Sequence, residues 1–145
     1  DCARTKGMDL GFQGVVTPQW EEDPCTKCTL CAKACLEGAI VDDEDGTPIF
    51  NSEKCVQCGD CIKVCPTDAW TAKRKGWIVR AGGRHGREAD EIVKFLPDEK
   101  VTDFISKTIE WYNKNGKRGE RIGKTFDRVG LKEFKNEVTP SFLAE

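Results

Sequence analysis

Eight of the nine cysteines in this 145-residue chain lie between Cys25 and Cys65, in two runs of identical spacing. Cys25, Cys28, Cys31 and Cys35 read C-x2-C-x2-C-x3-C. Cys55, Cys58, Cys61 and Cys65 repeat that spacing thirty residues on, with Pro66 after the last. Structural zinc takes two C-x2-C knuckles per ion, and a third cysteine at x2 has no place in that scheme. Disulfides suit small secreted domains, and cysteines crowded into one 41-residue stretch bridge awkwardly. Soft sulfur suits iron. The spacing therefore predicts two [4Fe-4S] clusters, each wrapped on one face by a loop carrying three ligands two residues apart, with backbone N–H groups directed at its sulfides.

Residues 25–40 and 55–70 align without gaps: Lys33 matches Lys63, Ala39 matches Ala69, and Ile40 stands opposite Trp70. Such a repeat predicts two loop–helix–strand units related by a pseudo-twofold. The runs resemble those of bacterial-type two-cluster ferredoxins. In that family the fourth local cysteine ligates the other cluster. The resemblance implies one set of Cys25, Cys28, Cys31 with Cys65, and a second of Cys55, Cys58, Cys61 with Cys35, each fourth cysteine opening the helix that follows its loop. Ile40-Val41 and Pro48-Ile49-Phe50 flank an Asp45-Gly46 turn and read as a hairpin. Ile40, Val41, Ile49, Phe50, Val56, Ile62, Val64 and Trp70 are expected to form an apolar sleeve that limits solvent access and so helps set reduction potential.

Charge divides the chain. Residues 18–72 carry eleven acids against four Lys and Arg, a balance of −7, and residues 73–145 carry seventeen Lys and Arg against twelve acids, a balance of +5. The basic half could meet an anionic cofactor, a partner or nucleic acid, although scattered lysines on helix faces commonly amount to solvated surface. No apolar run is long enough for a membrane span and no signal peptide is visible, so a cytoplasmic, reducing setting is expected for these thiolates. The chain opens without an initiator Met and looks processed or cut from something longer.

Outside the cysteine stretch, Leu10, Phe12, Val15 and Val16 suggest a short strand over 9–16. Trp77–Ala81 reads as a strand and 82–87 (GGRHGR) as the loop after it. Glu88 to Leu96 reads as a helix closed by Pro97. Strand, glycine-rich loop, then helix would place Arg84, His85 and Arg87 near a helix N-terminus, where anions bind. The loop matches neither G-x-G-x-x-G nor the P-loop pattern. Val101, Phe104, Ile105, Thr108, Ile109 and Tyr112 keep helical spacing. A further helix is expected over about 119–129, and Leu131, Phe134 and Val138 make a short last turn.

Three segments together resemble the siroheme-containing sulfite and nitrite reductases, which share a C-P-N-x-C run whose final cysteine bridges siroheme to a cubane. Asp1-Cys2-Ala3-Arg4 and Gly11-Phe12-Gln13-Gly14 follow that pattern, Trp77 to Arg87 is similar to the family's strand and glycine loop, and Gly119-Glu120-Arg121-Ile122-Gly123 with Arg128-Val129-Gly130 is similar to its tail. The resemblance implies an α+β chain in which a pseudo-twofold two-[4Fe-4S] ferredoxin module, residues 18–72, is inserted into an α/β reductase-type half-domain, residues 1–17 and 73–145. It makes Cys2 the bridging cysteine and places Arg84, His85 and Arg87 beside siroheme, a cofactor only a complete reductase would hold, or beside substrate. The upstream ligands are absent, so the chain alone is not expected to be catalytically complete. Its expected partners are an electron donor protein and the remainder of a reductase or its catalytic subunit.

Two further readings stand beside this one. The chain could be a stand-alone ferredoxin-type carrier or redox subunit with residues 73–145 as a docking domain. It could also be a nucleic-acid-binding sensor using its basic half, which the cysteine spacing supports least.

Overall fold

The computed structural model describes residues 6–143. The chain divides into two compact units, residues 1–14 with 76–145, and residues 15–75.

In the first unit, residues 77–81 of β4 (Trp70–Ala81) pair antiparallel with β5 (Asp90–Leu96), in a sheet of order β1-β4-β5 to which β1 (Leu10–Trp20) contributes residues 10–14. Both β1 and β4 run longer than the sequence suggested. The polar stretch Thr71–Lys75 hides its strand character because most of its side chains face water.

Residues 90–96 form a strand, not the helix expected over 88–96. The reason lies in the bulges. Register shifts between Trp77 and Arg80, and a left-handed Phe95 (φ 60°), interrupt the alternation. Ile92, Val93 and Leu96 are all buried as a result, at spacings that imitate a helix face. The two β-branched residues instead lie against β4, with Val93 opposite Val79.

A 3-10 turn at Asp98–Lys100 leads into α3 (Val101–Asn115), followed by α4 (Ile122–Val129) and α5 (Leu131–Val138). The buried face of α3 is Phe104, Thr108 and Trp111, turned from the expected stripe: Ile109 is 51% exposed, while Trp111 is 3% exposed. An aromatic cluster draws the helix round. Trp111 meets Phe134 at 5.0 Å between ring centroids, Phe126 meets Phe134 at 4.8 Å, and Phe104 meets Phe142 at 5.3 Å.

The start of α4 ties this unit together. Glu120 accepts hydrogen bonds from Arg128 (3.0 and 2.7 Å), the Thr125 hydroxyl (3.0 Å) and the Lys117 N–H (3.1 Å). Its neighbour Arg121 clamps Asp9 at 3.0 and 3.1 Å. A Cβ on Gly123 would stand 2.2 Å from the Gly82 carbonyl oxygen, so glycine alone permits that approach.

The second unit is smaller and built by repetition. Helix α1 (Leu30–Ala34) and the β2–β3 hairpin (Ile40–Asp42 with Pro48–Phe50) follow the first cysteine loop, and α2 (Asp60–Val64) follows the second. The fourth cysteine of each run ends its helix: Cys35 caps α1 and Cys65 caps α2. The sequence had placed each at a helix start. The apolar sleeve is partial. Ile40 and Trp70 are buried with Cys31 and Cys61, whereas Val41, Ile49 and Val56 are about half exposed. A hairpin of three-residue strands packs one face and leaves the other to solvent.

Candidate metal centre

The two cysteine loops share a backbone as well as a spacing. Lys27 (φ 56°) and Thr29 (φ 62°) are left-handed in the first, and Gln57 (φ 61°) and Gly59 (φ 77°) at the matching places in the second. Alternating left- and right-handed residues turn successive N–H groups into one concavity, the backbone nest that holds anions and iron–sulfur groups. Non-glycine residues adopt this conformation at a cost and keep it where the surroundings demand it. At position 59 only glycine fits, since a Cβ there would lie 2.6 Å from Val16 Cγ1. The Gln57 N–H already donates to Cys55 Sγ at 3.4 Å.

These loops and their helices line two cavities. One, of about 220 Å³, is bordered by Cys55, Cys58 and Cys61 from the second run and by Cys35 from the first. The other is narrower, about 10 Å³, and is bordered by Cys25, Cys28 and Cys31 together with Cys65. Packing of α1 against α2 brings each fourth cysteine to the loop of the opposite run. Among the described residues, no three His, Cys, Asp or Glu converge closely enough to hold a single metal ion.

The thiols differ in burial and partners. Burial pushes the Cys61 thiol up to about 11 and raises Cys31 and Cys58. At Cys65 burial also raises the pKa, but the N–H groups of Thr67, Trp70 and Ala69 and the Thr67 hydroxyl outweigh it, and the thiol lies below its ordinary value. The Thr67 Oγ1 is 3.8 Å from Cys65 Sγ. Buried polar atoms ordinarily find partners, yet the Nε1–H groups of Trp20 and Trp70 have none. Both rings pack with Cys31 and Cys61. Clustered thiols, nests of N–H groups and unpaired buried donors suit an anionic sulfur-rich group rather than an apolar ligand.

A protein family described as "Nitrite and sulphite reductase 4Fe-4S domain" matches residues 1–143. The chain belongs to this family. It is 37% identical over 141 residues to a coenzyme F420-dependent sulfite reductase of Methanocaldococcus jannaschii, a match covering 94% of this chain and 23% of that protein. The chain thus spans about a quarter of that relative's length. A shorter match, 44% identical over 41 residues, is to pyruvate synthase subunit PorD of Pyrococcus abyssi, covering 28% of this chain and 39% of that protein. In fold, this nitrite and sulphite reductase domain is similar to dissimilatory sulfite reductase I (TM-score 0.64, 17% identity), over 99% of this chain and 41% of that one.

The other expected site residues fare differently. Cys2 lies outside the described residues. Arg84 and His85 are exposed at the tip of a tight turn in which the backbones of Arg84 and Arg87 pair. Arg87 is 19% exposed, and its guanidinium donates to the Gly82 carbonyl (2.7 Å), the Glu88 carbonyl (3.2 Å), Asp90 (2.9 Å) and Asp127 (3.3 Å). The helix N-terminus expected after this loop is absent, because strand β5 follows it. Sequence reasoning passed over Thr67 and gave Glu120 no role beyond its place in 119–123. Thr67 stands two residues after a ligand-type cysteine, a signal available from spacing alone. Glu120 became visible only through its partners. No helix among the described residues is long and apolar enough to cross a membrane.

Proposed function

We propose that this domain carries two [4Fe-4S] clusters in crossed sets and delivers electrons within a siroheme sulfite or nitrite reductase. The lining of the two cavities carries the reading: each pairs three cysteines of one run with the fourth of the other. Cys25, Cys28, Cys31 and Cys65 would hold one cluster, and Cys35, Cys55, Cys58 and Cys61 the other. When bound, such clusters accept and release one electron at a time. The matching left-handed positions support a pseudo-twofold module over 18–72, set between reductase segments 1–17 and 73–145. The narrower cavity must widen to accept a cubane.

The similarity to sulfite reductases favours delivery to a siroheme centre completed by the rest of a longer protein or a catalytic subunit, with Cys2 as the bridging thiolate. Arg84 is then the arginine available to an anionic cofactor, since Arg87 is engaged by protein groups. The match to PorD favours a second reading, a carrier or redox subunit whose residues 73–145 serve docking.

The crossed arrangement has a direct test. Anaerobically purified protein should hold about eight irons per chain. Cys35→Ala and Cys58→Ala act on one cluster, so the double variant should keep as much iron as either single one. Cys35→Ala with Cys28→Ala should lose nearly all of it. The reverse pattern would show that each run holds its own cluster. Siroheme absorption in the complete protein separates the reductase reading from the carrier reading.

A further inference from the structure

The internal repeat gives each residue beside one cavity a counterpart thirty positions away, and several of these counterparts differ in chemistry. The cavity of Cys25, Cys28, Cys31 and Cys65 is lined also by Lys27, Thr67 and Trp70, a cation and two hydrogen-bond donors. Their counterparts are Gln57, Glu37 and Ile40. Glu37 and Ile40 do line the cavity of Cys35, Cys55, Cys58 and Cys61, together with Asp60, whose own counterpart is Leu30. One cavity is therefore bordered by a lysine and two donor-bearing residues, and the other by two acidic residues and an aliphatic one.

Trp70 is the strongest element of this contrast. It is 2% exposed, packs in one core with Cys31 and Cys61, borders the Cys25-to-Cys65 cavity and not the other, and its Nε1–H has no hydrogen-bond partner. Thr67 adds a hydroxyl 3.8 Å from Cys65 Sγ, and towards a thiolate only the hydroxyl can donate.

We infer that Lys27, Thr67 and Trp70 make the site of Cys25, Cys28, Cys31 and Cys65 the higher in reduction potential, and that Glu37 and Asp60 lower the other, so the first electron given to the module settles at the Cys25-to-Cys65 set. Gaining an electron makes a cluster and its thiolates more negative. Donors and cations stabilise that state, and nearby carboxylates oppose it. Backbone N–H groups reach both sites in similar number, those of Ala32 at Cys31 and of Thr67, Trp70 and Ala69 at Cys65, and those of Ile62 at Cys61, Asp60 at Cys58 and Gln57 at Cys55, and so separate them little. Two groups act against the ordering. Asp42, whose buried Oδ1 has no partner, lies near Cys31 but does not line its cavity, and Lys63 pairs with Asp60 at 2.9 Å. Lys27, Glu37 and Lys63 are all exposed, where water and salt weaken each, so the buried Trp70 carries the contrast.

This ordering rests on the two-cluster reading, and one experiment separates the two. Potentiometric titration of the full chain with its clusters, followed by EPR, should give two resolved midpoints. Trp70→Phe keeps the ring and removes the N–H; it should lower the upper midpoint and leave the lower unmoved. Glu37→Gln should raise only the lower. A shift of about 59 mV corresponds to a tenfold change in the reduced-to-oxidised ratio of a one-electron couple. Iron content near four per chain would overturn the two-cluster reading itself. Eight irons with coincident midpoints, a Trp70→Phe effect on the lower midpoint, or a Glu37→Gln effect on the upper would overturn the ordering alone.

Discussion

The two compact units solve the problem of stability differently. Residues 76–145 with the N-terminal segment bury Leu96, Phe104, Trp111, Phe126, Phe134 and Phe142 around a sheet, and these side chains hold one another in place. In residues 15–75 the buried core cluster is Cys31, Ile40, Cys61 and Trp70, with Val15, Ala39 and Ala69 also buried, and Leu36 stands 92% exposed. A span of about sixty residues is marginal on hydrophobic burial alone, and metal is one of the usual remedies. On the proposed reading, cysteine ligation would be the framework of the smaller unit as well as its chemistry. In the larger unit, charge and aromatic packing do that work.

The sharpest way to break this contrast is to remove iron with a chelator under oxidising conditions. Amides in 15–75 should lose hydrogen-exchange protection while those in 101–138 keep it; simultaneous loss in both would refute the division. Next in size, Phe134→Ala should cost about 3–5 kcal/mol in denaturant melts of the larger unit, with iron content unchanged.

Gly123→Ala comes third. In an ordinary helix it would add up to about 1 kcal/mol, but the Cβ would meet the Gly82 carbonyl oxygen at 2.2 Å, so the melt should fall by about 1–3 kcal/mol instead. The smallest effect concerns pH. The Arg128 guanidinium, with the Lys117 N–H and the Thr125 hydroxyl, outweighs burial and holds Glu120 at about 2 against an ordinary 4.5. A depressed folded value means the stabilisation is fully present above pH 4.5 and is lost as pH falls towards 2. Glu120→Gln should flatten that slope in acid melts; an unchanged slope would place the acid sensitivity elsewhere.

Part of this was legible in the chain. The cysteine spacing is a local pattern, because three ligands of each loop fall within seven residues and their geometry follows from the turn between them. The Asp45-Gly46 hairpin was legible for the same reason, as was the existence of the helix from Val101. The helix misread over 88–96 came from bulges, which depend on the partner strand and leave no mark in the residues themselves. The face of α3 was misjudged because Trp111 is drawn in by Phe126 and Phe134, more than ten residues away.

By itself the sequence determined which thiols exist, their repeated spacing and the imbalance of charge between the cysteine stretch and the residues after it. Only the tertiary structure decided the rest. It set Cys35 beside Cys55, Cys58 and Cys61 through the packing of α1 on α2, engaged Arg87 with Asp90 and Asp127, and buried Trp70, its indole N–H unpaired, at the border of the Cys25-to-Cys65 cavity. Spacing governs contacts within a turn, whereas contacts across the chain depend on which faces pack and which polar groups find partners there.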